Sequence, residues 1–529
     1  MRSDVESQFD CRSRAKNPEG TGLRRRRASA AGVVCSLLMV VSCTVGPDFQ
    51  PPAPPAVGTF LPAAGNGVGG GGDHVAGRRV VRGGEVPSRW WETFRSPDLK
   101  RLIEEGLAHN ADLEAAEAAV RVAQASALAA QSALFPLVTA NVQSSRQQVP
   151  AQTLASGAAW GADLYSVHTA QVSVSLVPDV FGGTRRQIEA ARALAEAEAF
   201  RREGVYLTLT TNIALAAVQS ASLQGQIGAT QRLIGIQTQL LNVLRRQYEQ
   251  GQIALPDVVA QETALAQARL LLPPLERQLA QQQHLLAVLT GRFPSDAPSI
   301  RFDLAAFRLP RTLPLSLPAD LVRQRPDIRV AEANLHAANA QIGVAIANRL
   351  PQITLSGNAG SSAAALGQLF ATGTNFWTIA GNAAQTVFDA GALAARQRAA
   401  EAATEQAAAQ YRAVILAAFQ NVADVLRALQ SGERALAAAT AAERSAAHNI
   451  ELVRRQVEQG QVSIPILLNA QQAYLQTSLL RVQAEAARLA DTIALFQALG
   501  GGWWNRPPSP QLDSAAAAEA PKPIDRRPQ

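Results

Sequence analysis

The side chains that could do chemistry are scattered through this sequence. His74, His109, His168, His284, His336 and His448 stand far apart, with none of the short spacings that bring two imidazoles to one metal. Gly69 to Gly72 form a glycine run, but no Lys-Ser/Thr follows to hold a phosphate, so the run reads as spacer. Asp and Glu are abundant, yet they fall on helical patterns where carboxylates are ordinarily solvated surface. No nucleophile, general base or metal-ligand set can be assembled, so the expectation is a chain that is not an enzyme, with no catalytic residues, no metal and no cofactor. Nucleic acid is an equally poor partner. The formal charge is +7, but residues 1–42 hold eight Lys/Arg against four acids, and that surplus of four leaves only +3 for the rest.

Cys43 is the exception. Arg24 to Arg27 precede an apolar run over 31–41, which reads as the n- and h-regions of a secretory signal and is too short to span a membrane. The run ends in Val40-Val41-Ser42-Cys43, which resembles the bacterial lipobox, where cleavage makes a lipidated Cys the new N-terminus. A cleaved signal with an unmodified Cys is the alternative. The long n-region points to a translation start later than Met1. Cleavage would remove Cys11 and Cys35, leaving one cysteine and no intrachain disulfide. Thr44, not Asp, follows Cys43, which among Gram-negative lipoproteins implies sorting to the outer membrane. Beyond it no run of about 20 apolar residues appears, so no later helix is expected to cross the inner membrane.

The elements that would position any function come in two printings. Arg245-Arg246-Gln247-Tyr248-Glu249-Gln250-Gly251-Gln252-Ile253-Ala254-Leu255-Pro256 returns as Arg454-Arg455-Gln456-Val457-Glu458-Gln459-Gly460-Gln461-Val462-Ser463-Ile464-Pro465. In each, a helical pattern runs into Gly, pauses for four residues, meets Pro and resumes. Gly supplies a left-handed helix end and Pro suits the first turn of the next helix, so both read as tight helical hairpins. Asn110 to Ala118 matches Arg325 to Ala333, and Phe135 to Ala140 matches Leu350 to Leu355, both at an offset of 215. A period-two pattern around 138–140, 172–176, 352–359 and 376–387 gives two strands per copy, each with one apolar and one small polar face. The helical pattern over 185–250 has no Pro and would be roughly 100 Å long. The return run over 257–290 carries Pro273-Pro274, which should kink or divide it. The pattern over 97–135 reads as one helix capped by Ser96, and 147–167 as an exposed loop. Apolar residues make up 47 % but aromatics only 5 %, which suits close-packed Ala-rich helices better than a bulky core.

Several motifs in order carry a resemblance: Cys43-Thr44-Val45-Gly46-Pro47-Asp48-Phe49 with Pro51-Pro52, Trp90-Trp91 with Phe94, Arg325-Pro326-Asp327-Ile328 leading to Leu350-Pro351, and Leu499-Gly500-Gly501-Gly502-Trp503. Together, over residues 43 to about 503, they resemble the outer membrane factor family, the TolC-type ducts of tripartite efflux pumps, in its NodT-type lipoprotein branch. The fold class implied is mainly α with a small β part: a long α-helical barrel continuous with a transmembrane β-barrel. Four strands cannot close a membrane barrel, since bacterial barrels begin at about eight strands; chains must share one. The resemblance sets the count at a homotrimer, with twelve strands in the outer membrane and twelve helices in the periplasm, the internal repeat giving pseudo-sixfold symmetry.

It also implies roles. Gly251, Gln252, Ile253, Ala254 and Leu255, with Gly460, Gln461, Val462, Ser463 and Ile464, would be the tips that face a periplasmic adaptor protein, or else merely turns. Family members commonly place an acid nine positions after the second tip glycine; here Asn469 stands there, with Ile466 three residues earlier, so apolar and amide contacts, with Leu467 or Leu468 nearby, would close the entrance. Asp257, Arg245 and Arg454 would form interhelical latch pairs, unless Arg245 to Glu249 and Arg454 to Glu458 are only exposed i,i+4 pairs. Trp377 and Phe376 suit an interfacial aromatic girdle or plain loop packing. The chain divides into a signal peptide (1–42), a lipidated tether (43–89), a first unit (90–316), a second unit (317–502) and a disordered tail (503–529). The function implied is a passive outer-membrane duct, lipid-anchored and exporting drugs or other small toxic solutes, fed by an adaptor and a proton-driven inner-membrane transporter. A periplasmic coiled-coil adaptor would also show long helical hairpins but lacks paired strands; a hydrolase with a helical lid is a third reading.

Overall fold

The computed structural model describes residues 44–60, 74–75, 78–148, 164–297 and 300–506. Cys43, the signal peptide, the Gly69 to Gly72 run, most of the 147–167 loop and residues 507–529 lie outside the described residues. In chain order come an extended strap (44–60), strands β1 (His74–Val75) and β2 (Arg78–Arg82), and a 3-10 turn at Trp90–Phe94. Helices α1 (Pro97–His109) and α2 (Ala111–Ser132) lead to β3 (Leu137–Gln148), β4 (Leu164–Leu176) and the long α3 (Gly183–Glu249), which returns through α4 (Leu255–Leu270) and α5 (Leu272–Leu289). The second half holds β5 (Thr312–Leu315), α6 (Pro318–Gln324), α7 (Pro326–Ala347), β6 (Gln352–Ala363), β7 (Asn375–Ala384), the long α8 (Ala392–Glu458), α9 (Ile464–Ala498) and a 3-10 turn at Trp503–Asn505.

Both α3 and α8 have 67 residues, so each extends roughly 100 Å. Near the strands α3 packs between α2 and α7, and towards the tips between α4, α5 and α9; α8 packs on α7 and α9. The result is a wall one helix thick. An 18-residue window of α8 reaches a mean hydropathy of 1.2, against the expectation of no such run, because alanine dominates its composition. Its buried stripe, Tyr411, Ile415, Ala418 and Val422, faces neighbouring helices, so α8 reads as a wall helix.

Local signals account for the ends. Ser96 Oγ accepts the Leu99 N–H, and Pro97 opens α1. The run read as one helix over 97–135 is two, because Asn110 leaves helical geometry at ψ 125°, caps Leu113 N–H with its Oδ1 and donates Nδ2 to the Leu289 carbonyl. Pro273-Pro274 divides the return helix at Leu271, since neither proline can donate to the preceding turn.

The bulky core lies on one side of this wall. Trp90, Trp91 and Phe94 are essentially fully buried with Leu102, Phe302 and Phe307, and Trp90 stacks on Phe496 at 5.5 Å. Two expectations change here. The tether is not free throughout, because β2 pairs in parallel with β5, from Arg79 opposite Thr312 to Arg82 opposite Leu315, and Val86 is buried. Order also runs past residue 502: Trp503 Nε1 donates to the Gln324 carbonyl at 2.7 Å and Asn505 Nδ2 to the Val86 carbonyl at 2.8 Å, tying this turn to the segment ahead of Trp90.

Candidate functional site

The four long strands form one antiparallel sheet in the order β3-β4-β6-β7. Its register sorts the side chains into two faces. One row across the sheet reads Val138, Val174, Gly357, Ile379, and another Ala140, Val172, Ala359, Trp377. The row between them reads Thr139, Ser173, Asn358, Thr378. Alternation along each strand therefore gives one apolar face and one face of hydroxyls and amides. Neither face is covered: Val142 and Ile379 are each 80 % exposed and Trp377 75 %. Strands of 12–13 residues tilted by about 40° rise roughly 30 Å, the depth of a hydrocarbon core. β3 and β7 bond on one side only, so the sheet ends in two open edges. Trp377 stands on the apolar face, near the end remote from the helices; Phe376 falls on the opposite face by strand parity, so the two aromatics do not share one belt.

Strands pass into the long helices through two matching turns, at Phe181-Gly182-Gly183-Thr184 and Phe388-Asp389-Ala390-Gly391, whose breaks the change of sequence pattern marks but whose capping aspartates it does not. Asp179 accepts the N–H groups of Thr184 and Arg185, both at 2.9 Å, and Asp389 accepts those of Gly391 and Leu393 at 2.9 and 2.7 Å. The Leu393 N–H above all, with those of Gly391 and Ala392, holds the Asp389 carboxyl below its ordinary range. The signal was legible: an Asp a few residues ahead of a helix after Gly.

The strap closes over this junction. Val45 N–H donates to the Phe181 carbonyl, and Arg186, only 4 % exposed, donates to the Val45 and Gly46 carbonyls, to Asp48 at 2.7 Å and to Glu189 at 2.8 Å. Asn339 holds the Pro47 carbonyl, and Phe49 stacks on His336 at 4.4 Å while the imidazole meets Glu189 at 2.9 Å. Partial burial pushes the Glu189 carboxyl up, but the bonds from Arg186 and His336 outweigh it and its pKa lies below the ordinary 4.5. Gly46 approaches Gly343 so closely that a Cβ would fall 2.5 Å from its Cα. His336 thus belongs to a packed network, where spacing alone suggested a solvated side chain.

At the far end of the helices are the tips. Gly251 has φ +72° and Gly460 φ +69°. Gly251 N–H meets the Tyr248 carbonyl and Gln252 N–H the Gln247 carbonyl, both at 2.8 Å; Gly460 and Gln461 repeat the pattern on Val457 and Gln456 at 3.0 and 2.8 Å. This is the Schellman closure, and Pro256 and Pro465 sit in the first turns that follow. Gln252, Ala254, Leu255, Gln461 and Ser463 are exposed, and Ile253 and Val462 half-buried. Ile464 is the exception to the tip expectation, at 7 % exposed: it packs with Leu241, Leu244, Val258 and Leu265 and joins the two hairpins.

Within one chain Arg245 makes an interhelical pair, across its hairpin with Glu262 at 2.6 Å, while Asp257 sits in the first turn of α4. Arg454 pairs along its own helix, with Glu451 at 3.0 Å and Glu458 at 3.8 Å, so within one chain it makes the exposed same-helix pairs. Ile466 and Asn469 are exposed, whereas Leu467 is buried with Val453 and Ala470. Amides also cross between helices: Gln237 Nε2 donates to Gln471 Oε1, and Gln261 Nε2 to the Gln237 carbonyl, both at 3.2 Å. Buried glutamines on a polar helix face carry no sequence signal that separates them from solvated ones.

A bare two-faced sheet continued by helices of this length is the build of a TolC-like outer-membrane efflux channel. The chain belongs to the outer membrane efflux protein family, whose model matches residues 102–292 and 317–501. It is similar to the pyoverdine export outer membrane protein OpmQ of Pseudomonas putida, 32 % identical over 420 residues covering 78 % of this chain and 88 % of that one. The toluene efflux pump outer membrane protein TtgC of Pseudomonas putida is 29 % identical over 496 residues, 93 % of this chain and 99 % of its own. Among solved structures, the outer-membrane channel OprN superposes with a TM-score of 0.78 at 26 % identity, covering 87 % of this chain and all of that one. The protein is an efflux component of the outer membrane.

Proposed function

We propose that this chain is one third of a passive export duct. Three copies pool their four-stranded sheets into a twelve-stranded barrel, β7 of one copy pairing with β3 of the next, and their helices continue as a periplasmic cylinder. The single observation that carries this reading is the sheet itself: both faces bare, one apolar and one polar, and both edges unpaired. An isolated sheet of this kind is unstable in water and in lipid alike, because open edges leave backbone groups unbonded in hydrocarbon.

The two halves are copies of one unit, so the trimer has pseudo-sixfold order. Cys43 is lipidated and anchors the start of the strap, residues 43–89 serving as a tether that docks at its ends. The loops Gly251 to Leu255 and Gly460 to Ser463 meet a periplasmic adaptor protein. Entrance closure involves Arg245, Asp257, Arg454, Ile466 and Asn469 between neighbouring copies, with no acidic ring at Asn469. An inner-membrane transporter, proton-driven, supplies drugs or other small toxic solutes through the adaptor. The duct performs no reaction.

The test is assembly and conduction. Protein extracted from outer-membrane fractions is expected to run as a trimer unheated and as a monomer after boiling, and to conduct ions in planar bilayers. A monomer without conductance would overturn the reading.

A further inference from the structure

The thin wall has a cleft of about 680 Å³ between α3, α5 and α9. Its position relative to the duct follows from helix geometry. On α3, Ile213, Ala217 and Ala221 pack into the bulky core formed with α1 and the aromatic loops. Gln219, Ser222 and Gln226 recur at the same helical spacing on the opposite side of α3 and line the cleft, while Leu215, Val218 and Ala486 belong to the buried seam beneath it. A bulky aromatic core on the inner side would obstruct the proposed duct, so in that reading the core lies on the outer side of the wall and the cleft, on the other side of α3, on the lumen.

Its chemistry is specific. None of its lining side chains is ionisable, although about one residue in six of the chain is charged (17 %). Its floor is apolar, from Leu215, Val218, Leu285 and Ala486, while Gln219, Gln278 and Gln282 stand at its rim. Gln226 is satisfied by Ser222 at 3.2 Å and Gln483 at 3.1 Å, whereas among the described residues no hydrogen bond engages the side-chain amides of the three rim glutamines. Free amides offer both donors and acceptors, and a charge-free wall gives no compensation to an ion leaving water. The volume lies in the range that takes a drug-sized molecule.

We propose that this cleft is a resting site for cargo in transit, and that the cargo it holds is an uncharged amphiphile with an apolar ring system and one or two hydrogen-bonding groups. The inference rests on the duct reading, which places this side of α3 inside. Apolar rings lie on the leucine and alanine floor and the polar group meets the amides of Gln278, Gln282 and Gln219. A modest affinity suits the role, because a site that held cargo tightly would block the path.

N-phenyl-1-naphthylamine, a neutral diarylamine with one N–H donor, is a suitable fluorescent probe for the purified trimer. Wild type is expected to bind it saturably. Gln278→Ala with Gln282→Ala should weaken binding roughly fivefold, the effect of losing the probe's one neutral hydrogen bond, and Ala487→Trp, at a lining position next to Ala486, should abolish it by filling the cleft. A quaternary ammonium analogue should bind wild type at least tenfold more weakly than the neutral probe. Each variant is checked for a heat-modifiable trimer and for conductance. Trimers that conduct but bind the probe as wild type does would overturn the cleft and leave the duct intact; wild-type protein that neither assembles nor conducts would overturn the duct first. Equal affinity for the cationic analogue would refute the neutral-cargo assignment.

Discussion

Placing lysine at two adjacent positions of β7 should give opposite phenotypes. Ile379 is on the apolar face and 80 % exposed; Thr378 is on the polar face opposite Asn358. From Ala384, the helix-proximal end, Ile379 is five residues along the strand, which at about 3.4 Å per residue and a tilt of about 40° places it roughly 13 Å above the junction, near the middle of an apolar band of about 25 Å. Lysine there costs about 2–4 kcal/mol per subunit, so Ile379→Lys should reduce insertion or assembly roughly thirty- to thousandfold per subunit. Thr378→Lys puts the same charge in water, where the cost is near zero and the effect falls on ion selectivity. The assay is heat-modifiable trimer in outer-membrane fractions, followed by reversal potentials in a salt gradient. Thr378→Lys should assemble and shift selectivity towards anions, and Ile379→Lys should fail to assemble. Normal assembly of Ile379→Lys, or equal failure of both, would refute the assignment of faces and the membrane placement built on it.

Other perturbations reach other parts of the molecule. Gly460→Ala meets no atom within 4 Å but must keep φ near +69°, which costs about 1–2 kcal/mol locally; drug susceptibility should rise while trimer yield stays level. Arg454→Glu breaks two exposed pairs worth under about 0.5 kcal/mol each, so stability should hold while the closed duct leaks; unchanged single-channel conductance and drug entry would remove Arg454 from the latch. Arg186→Ala should cost about 2 kcal/mol in charge-assisted bonds and expose the strap to limited proteolysis. Because the Glu189 carboxyl is lowered in the folded state, its contribution is complete above pH 4.5 and is lost as pH falls through the lowered value. Strap protection should therefore decline in acid, and Glu189→Gln should flatten that dependence. Trp503→Ala, which removes the bond to Gln324 and the packing on Phe200, should lower thermal stability by about 2 kcal/mol, as read in a melting curve.

What was legible in the sequence was what repeats or alternates. The tips were readable because a left-handed glycine and a first-turn proline are local demands, and the strands because period two survives exposure on both faces. Residues with partners distant in sequence were not. Asn110 reads as one polar residue in a helical run, and only the Leu289 carbonyl, 179 positions away, shows why the helix breaks there. Arg245 has several carboxylates within a turn or two of the hairpin, and sequence cannot choose Glu262 over Asp257. The strap looked like spacer because prolines and glycines dominate it, yet its backbone carbonyls are what Arg186 and Asn339 grip.

That grip has a consequence for the order of events as the polypeptide matures. Pro47 is held by Asn339 across 292 positions, and Phe49 by His336. A nascent chain emerges from its N-terminus, so the segment made first finds its seat only after more than half the remaining residues have been delivered and α7 has settled against α3. Such long loop closures come late. The strap is then fastened last, staying loose until there is a folded body for it to close over.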